Sequence, residues 1–130
     1  MNRTDRINGG AICLLDDDPS VLRATARLLA SAGRDVVPFD DPHSFLSYAQ
    51  TYQPRLAILD IWMPLMHGLE VQRRLHDVAP STRVIILTSK DDPAVRSQAL
   101  SAGAAGFFTK PVAEDAFLCG VEAALSKGEA

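Results

Sequence analysis

The sequence predicts an α/β fold in which a doubly wound parallel sheet is covered by helices on both faces. Five short apolar runs alternate along the 130 residues with five segments whose apolar residues recur at helical spacing. The runs are apolar on both faces, as in buried parallel strands. No run is joined to the next by an Asn-Gly type hairpin turn. These observations favour a parallel α/β sandwich over an α+β fold.

The five predicted strands are short and have distinct ends. Pro54 and Pro64 bound the third run, and Pro38 inside the second run indicates a strand at the edge of the sheet. The predicted strands are residues 11–15, 36–39, 55–60, 84–87 and 106–109.

The predicted helices carry start and stop signals. Pro19 falls in the first turn of the first helix, where proline is tolerated, and Gly33 follows its last turn. Glu114 and Asp115 lie at the positive end of the fifth helix. The apolar residues that define the five helices are Val21, Leu22, Leu28 and Leu29; Phe45, Leu46 and Ala49; Leu69, Val71, Leu75 and Val78; Val95, Ala99 and Leu100; and Phe117, Leu118, Val121 and Leu125.

Composition narrows the class of protein. The chain is 47% hydrophobic and 22% charged, which is typical of a globular domain, and its longest apolar run is too short to cross a bilayer. Its net charge of −3 without a Lys/Arg cluster argues against nucleic-acid or membrane binding. We expect one domain over residues 11–126, a polar lead-in (1–10) without signal-peptide character and a short tail (127–130).

The two cysteines indicate a reducing compartment. Cys13 and Cys119 both lie in apolar periodic segments, so we expect both to be buried, reduced thiols of a cytoplasmic protein rather than a disulfide or metal pair.

Polar side chains follow four of the five predicted strands. Asp16 and Asp17 follow the first, Asp60 the third, Thr88 the fourth and Lys110 the fifth. Because the carboxyl ends of parallel strands meet at one edge of the sheet, these groups are expected to lie together. Taken singly, each could be a helix cap or a surface charge; the ordered set favours a functional site.

This combination of charges suits a divalent cation and a phosphate. Three clustered carboxylates repel one another without a cation, and Mg²⁺ prefers carboxylate oxygens. Lys110 and Thr88 supply donors for phosphate oxygens, so the set is suited to covalent phosphoryl capture on an aspartate. Asp40, at the sheet edge, should lie away from this cluster, and Asp18 should point outward or cap the first helix.

Four motifs contain the polar residues at the strand ends. They are Leu14-Leu-Asp-Asp-Asp-Pro-Ser20, Ile58-Leu-Asp-Ile-Trp-Met-Pro64, Ile86-Leu-Thr-Ser89 and Ala102-Gly-Ala-Ala-Gly-Phe-Phe-Thr-Lys-Pro111. These motifs resemble the receiver domain of two-component response regulators, the CheY-like superfamily. They occur in that family's order and spacing, and the similarity extends over about residues 11–125.

The resemblance implies a flavodoxin-like fold with strand order 2-1-3-4-5. It implies that Asp60 accepts a phosphoryl group from a sensor histidine kinase or histidine phosphotransfer protein, with Lys110 pairing with Asp60 or its phosphate. The implied cofactor is Mg²⁺ or Mn²⁺, bound directly by Asp17, Asp60 and the backbone carbonyl of Trp62, while Asp16 acts mainly through a bound water. The Lys110–Pro111 peptide would be cis.

The resemblance also implies a switch. The Thr88 hydroxyl would turn towards the phosphate, Phe107 would move inward, and the face of the fourth helix, fifth strand and fifth helix would be remodelled. Phe107 could also be a plain core residue, and the two roles are compatible. Trp62 and Lys90 flank the pocket and could tune the access of water, Ser89 is small as the approach of phosphate requires, and His67 is interpreted as a helix-entry residue without a chemical role.

The implied function is that of a phosphorylation-switched signalling domain, catalysing only its own phosphoryl transfer and dephosphorylation. Two other classes compete with this interpretation: a haloacid-dehalogenase-like phosphohydrolase, whose second acid/base aspartate has only Asp18 as a weak counterpart, and a pseudo-receiver used for binding. The output stays open between a stand-alone receiver acting on a partner protein and part of a longer regulator with an effector domain. A dimer through the fourth and fifth helices is compatible with either.

Overall fold

A computed structural model describes residues 11–127, so the expected lead-in (1–10) and residues 128–130 of the expected tail lie outside the described part of the chain. Within residues 11–127, five strands alternate with five helices. The strands are β1 (Ile12–Leu15), β2 (Val36–Phe39), β3 (Leu56–Leu59), β4 (Arg83–Thr88) and β5 (Gly106–Thr109). The helices are α1 (Pro19–Ser31), α2 (Pro42–Tyr52), α3 (Gly68–Val78), α4 (Pro93–Ser101) and α5 (Glu114–Lys127).

The strands form one parallel sheet in the order β2-β1-β3-β4-β5, which confirms the predicted fold class and strand order. β2 lies at an edge, as its internal Pro38 indicated. In the register, Leu15 of β1 lies opposite Leu59 of β3, and Leu59 lies opposite Ile86 of β4. The residues that follow β1 and β3 therefore leave the sheet side by side.

Two apolar clusters cover the two faces of the sheet. One contains Phe45 of α2, Leu75 of α3 and Ala99 of α4, so these three helices share a face. The other contains Leu29 of α1 and Phe117 of α5. Both faces are thus sealed by helices, and ligands can approach the sheet only at its ends.

Local signals fix where α1 begins and ends. The Asp18 carboxylate accepts a hydrogen bond from Ser20 N at 2.9 Å, so Asp18 is the N-cap that the sequence offered as one of two roles. Gly33, with φ +80°, adopts the left-handed conformation just after the helix, which glycine favours because it lacks a Cβ.

The two cysteines differ. Cys13 is fully buried, and burial raises the pKa of its thiol to about 12. The prediction of a buried Cys119 is wrong, because that side chain is exposed. The buried stripe of α5 runs through Phe117 and Val121, and the position midway between them points away from the sheet at 100° per residue.

None of the helices between residues 11 and 127 combines the length and the apolar character that a transmembrane span requires.

Candidate functional site at the carboxyl end of the sheet

Backbone hydrogen bonds continue one residue past β1 and β3 and hold two aspartates in place. Asp60 N donates to Leu15 O at 3.0 Å, and Asp16 N donates to Phe39 O at 3.1 Å. Both side chains are buried, with exposed fractions of 3% for Asp16 and 5% for Asp60. The two carboxylates thus stand on a rigid backbone in a place where an unpaired charge is unfavourable.

Three carboxylates and one ammonium group converge at this edge. Asp16, Asp17 and Asp60 each offer an oxygen within 4.8 Å of the others, and Asp17 is exposed. Lys110 Nζ lies 2.6 Å from Asp16 Oδ2 and 3.9 Å from Asp60 Oδ1. Oxygen-only donors at this spacing fit a hard divalent cation such as Mg²⁺.

Hydrogen bonds fix the orientation of the buried carboxylates. Asp16 Oδ1 accepts from Asp18 N at 3.0 Å, while its Oδ2 accepts from Lys110. Asp60 Oδ1 accepts from Ile61 N at 2.8 Å. Among the hydrogen bonds within residues 11–127, Asp60 uses Oδ1 and not Oδ2.

Burial raises the pKa of Asp60 to about 6. The Lys110 ammonium group lowers that pKa, and the neighbouring Asp16 and Asp17 carboxylates raise it again. The protein thus holds a carboxylate whose charge is costly until a further positive charge arrives.

Glycine at position 68 is required by the close approach of α3 to Asp60. A Cβ on Gly68 would lie 2.3 Å from the backbone oxygen of Asp60, and Gly68 N donates to Ile61 O at 2.8 Å. The side chain of His67, the preceding residue, caps α3 by accepting from Leu69 N at 3.1 Å, in keeping with the helix-entry role expected for it.

The ends of β4 and β5 place Thr88 and Lys110 at the site. Thr88 is fully buried, and its Oγ1 accepts a long hydrogen bond from Lys90 N at 3.4 Å. Lys110 N donates to Thr88 O at 2.7 Å, and the Lys110–Pro111 peptide bond is cis. Ser89 is exposed at the rim of the site.

An aromatic ring and an ammonium group form the outer wall. Trp62 Nε1 donates to Lys90 O at 3.3 Å, and Lys90 Nζ lies 4.8 Å from the centroid of the Trp62 ring. The His67 ring meets Trp62 edge-on, with 5.1 Å between centroids. The loop after β3 and the loop after β4 are therefore joined by direct contact.

Phe107 lies apart from the acidic cluster. Its ring is 9% exposed and belongs to the apolar cluster shared with α4. Asp40, as expected from its edge strand, is exposed and is not one of the three clustered carboxylates.

The sequence predicts the charged groups of the site but not the contacts between its loops. Neither the contact between Trp62 and Lys90 nor the role of Gly68 is among these predictions. A glycine directly after a loop and at the start of a helix is an available signal for close backbone approach. The Trp62–Lys90 contact has no such local signal, because 27 residues separate the two positions.

Comparison with known protein families assigns this fold and its acidic site to one family. The family profile described as "Response regulator receiver domain" matches residues 12–122. The chain belongs to this family and is a receiver domain of two-component signalling. Receiver domains are phosphorylation-switched signalling domains, and the family binds Mg²⁺ at an acidic pocket of the kind formed here.

Individual relatives support the assignment. Response regulator protein TodT of Pseudomonas putida is 38% identical over 114 residues, which cover 88% of this chain and 50% of TodT. The chain thus spans about half the length of the curated relatives that it matches first.

Solved structures share the architecture. A CheY-like receiver domain from Methanospirillum hungatei JF-1 superposes with a TM-score of 0.86 at 27% identity, covering 92% of this chain and 95% of that one. The BeF₃-activated DrrB receiver domain gives a TM-score of 0.78 at 28% identity, with coverages of 89% and 97%.

Proposed function

We propose that Asp60 accepts a phosphoryl group from a histidine kinase or a histidine phosphotransfer protein in a Mg²⁺-dependent reaction. The proposed receiver domain comprises residues 11–126. The observation that carries the proposal is the surroundings of Asp60, a buried carboxylate clustered with Asp16 and Asp17 and facing the Lys110 ammonium at 3.9 Å. Asp60 Oδ2, and not the Oδ1 that accepts from Ile61 N, is the oxygen that bonds to phosphorus as the phosphorus–nitrogen bond of phosphohistidine breaks.

The metal would be held by Asp17, Asp60 and the backbone carbonyl of Trp62, with Asp16 acting through a bound water. Both Asp16 oxygens already accept hydrogen bonds, which supports an indirect role for this residue. When bound, Mg²⁺ or Mn²⁺ would neutralise the carboxylates and stabilise the charge on the phosphoryl oxygens. The Lys110 ammonium group would move from Asp16 towards the phosphoryl group, and the Thr88 hydroxyl would donate a hydrogen bond to a phosphoryl oxygen.

We propose that binding of an output partner is controlled by the coupling of Thr88 to Phe107. Turning of the Thr88 hydroxyl would favour the inward Phe107 ring and remodel the face formed by α4, β5 and α5. This face would then bind an output protein or an effector domain, or pair with a second copy. Phosphorylation-dependent partner binding that is unchanged in Phe107→Ala would contradict the coupling.

Trp62, Ser89 and Lys90 would tune the lifetime of the phosphoryl group. The Trp62 ring, held by Lys90 at the outer wall, would shield the acyl phosphate from water. Ser89 would leave room for the phosphate to approach.

The test is phosphorylation by acetyl phosphate or phosphoramidate in the presence of Mg²⁺, followed by intact mass measurement and peptide mapping. We expect the mass of one phosphoryl group on Asp60, and none in Asp60→Asn. Asp40→Asn, which changes an exposed aspartate outside the cluster, should be modified like the wild type. Continuous release of inorganic phosphate with substrate turnover would indicate a phosphohydrolase, and no modification would indicate a pseudo-receiver.

A further inference from the structure

Helix α4 has few apolar anchors. Ala99 is its one buried residue, Val95 is partly buried against the same apolar cluster, and Leu100 is 44% exposed. Two polar contacts add to this attachment: Gln72 Nε2 of α3 donates to Ala99 O at 3.0 Å, and Arg96 lies over the ring of Phe107. Because α4 has few apolar contacts, each of these polar contacts contributes more to holding the helix in place.

The contact between Arg96 and Phe107 joins α4 directly to β5. Arg96 Cζ lies 5.4 Å from the ring centroid, within the distance at which a guanidinium is attracted to an aromatic face. The Arg96 side chain is about half exposed, so its charge stays solvated while its planar group covers the outer side of the ring. Arg96 Nη1 also lies 3.9 Å from Asp91 Oδ2, just before α4.

We propose that Arg96 is a positioning residue for the phosphorylation switch, holding the Phe107 ring in its buried pose and linking that pose to α4. The proposal rests on the proposed function, and in particular on the coupling of Thr88 to Phe107. Phenylalanine has no hydroxyl, so an outward ring gains no hydrogen bond, whereas the buried ring gains the contact with the cation.

The direction of the effect follows from linkage. The buried pose is the one expected of the phosphorylated domain. A contact that stabilises this pose before phosphorylation raises the population of the domain that binds the phosphoryl group well. It therefore raises the affinity for that group, by at most the factor by which it shifts the equilibrium between the two poses. Arg96 therefore shifts the unphosphorylated domain towards its active conformation.

The test compares the affinity for beryllofluoride, a phosphoryl mimic, in the presence of Mg²⁺. The fluorescence of Trp62, the only tryptophan, reports binding at the adjacent site. Arg96→Met keeps an unbranched side chain and removes the charge; we expect beryllofluoride to bind about two- to fivefold more weakly. Arg96→Lys should recover part of the affinity, and Arg27→Met, at an exposed arginine on α1, should bind like the wild type.

A double-mutant cycle with Phe107→Leu separates the ring contact from other effects of Arg96. In the Phe107→Leu background the effect of Arg96→Met on affinity should disappear, since the aromatic face is gone. Nuclear Overhauser effects between the Arg96 side chain and the Phe107 ring should be present with Mg²⁺ alone, before any phosphoryl mimic is added.

Several results would overturn the proposal. If Arg96→Met lowers stability but leaves the beryllofluoride affinity unchanged, Arg96 is only a structural contact. An equal loss in Arg27→Met, or an equal loss in the Phe107→Leu background, would do the same. A wild type that binds no beryllofluoride would overturn the proposed function itself, whereas normal binding by both wild type and Arg96→Met would overturn only the role of Arg96.

Discussion

The acidic pocket and helix α4 are built in opposite ways. Asp16 and Asp60 stand on backbone that continues the sheet ladder, and both are almost fully buried. Helix α4 has Ala99 as its one buried residue and Val95 as a partly buried one. It is also held by a hydrogen bond from Gln72 and by the contact of its own Arg96 with Phe107. The groups proposed to react with phosphate are therefore held rigidly, while the helix proposed to respond is held by a few contacts that a small free energy can rearrange.

The rigidity of the pocket is tested most strongly by Gly68→Ala. The added Cβ would lie 2.3 Å from the Asp60 backbone oxygen, so either α3 or the loop after β3 must move. We expect the free energy of unfolding to fall by about 3 kcal/mol, measured by urea denaturation, with weakened Mg²⁺ binding.

The matched control is Gly103→Ala, after α4. That residue has φ +104° but no heavy atom within 4 Å of an added Cβ, so only backbone strain of about 1 kcal/mol is expected. If the two substitutions lowered the free energy of unfolding equally, the backbone at the pocket would be as easily displaced as the backbone after α4.

Asp60→Asn tests how much the buried negative charge of Asp60 destabilises the folded protein. The folded-state pKa of Asp60, about 6, lies above its ordinary value of 3.8, so the folded protein binds the proton more tightly than the unfolded chain. Stability should therefore fall as the pH rises from about 4 to about 6, and Asp60→Asn should be more stable than the wild type by about 2 kcal/mol at pH 7 without Mg²⁺.

Thermal unfolding across this pH range, with and without Mg²⁺, measures the effect. Added Mg²⁺ should stabilise the wild type and leave Asp60→Asn nearly unchanged. An Asp60→Asn protein less stable than the wild type at pH 7 would contradict the idea that the carboxylate is held at a cost, and Asp40→Asn serves as the exposed control.

Trp62→Ala tests the contact that joins the two regions. It removes the hydrogen bond from Trp62 Nε1 to Lys90 O and the ring under Lys90 Nζ. We expect the acyl phosphate to decay about threefold faster, the factor of one modest hydrogen bond, as measured by loss of phosphorylated protein over time. Faster decay in the wild type than in the variant would refute the shielding role.

The smallest effect is expected for Glu122→Gln, remote from both regions. Arg34 Nε donates to Glu122 Oε2 at 2.8 Å and holds the pKa of Glu122 below its ordinary value. This stabilisation is present above the ordinary pKa of a glutamate and is lost as the pH falls. The pair is half exposed, so we expect a loss of about 0.5 kcal/mol at pH 7 and none at low pH. If Glu122→Gln changed the free energy of unfolding by more than Asp60→Asn does, surface ion pairs rather than the pocket would dominate the electrostatic contribution to stability.

The sequence predicted the rigid region far better than the responsive one. Apolar runs that end in Asp16, Asp60 and Thr88 define both the strands and the groups at their ends, because parallel strands bring these ends together regardless of detail. The position of Arg96 over Phe107 depends on the rotation of α4 against the sheet, which no local pattern specifies.

The misplaced Cys119 has the same origin on a smaller scale. An apolar helical segment predicts that a helix packs on the sheet, but it does not specify which side of the helix faces the sheet. In α5 this side carries Phe117 and Val121, so Cys119 faces outward.

The contrast between the two thiols has a practical consequence for experiments on this domain. Cys13 is buried with a raised pKa, so it should react slowly with alkylating reagents, whereas the exposed Cys119 should react readily. A spin label or fluorophore could thus be attached to α5 of the native sequence in one step, giving a local probe of this helix without any substitution.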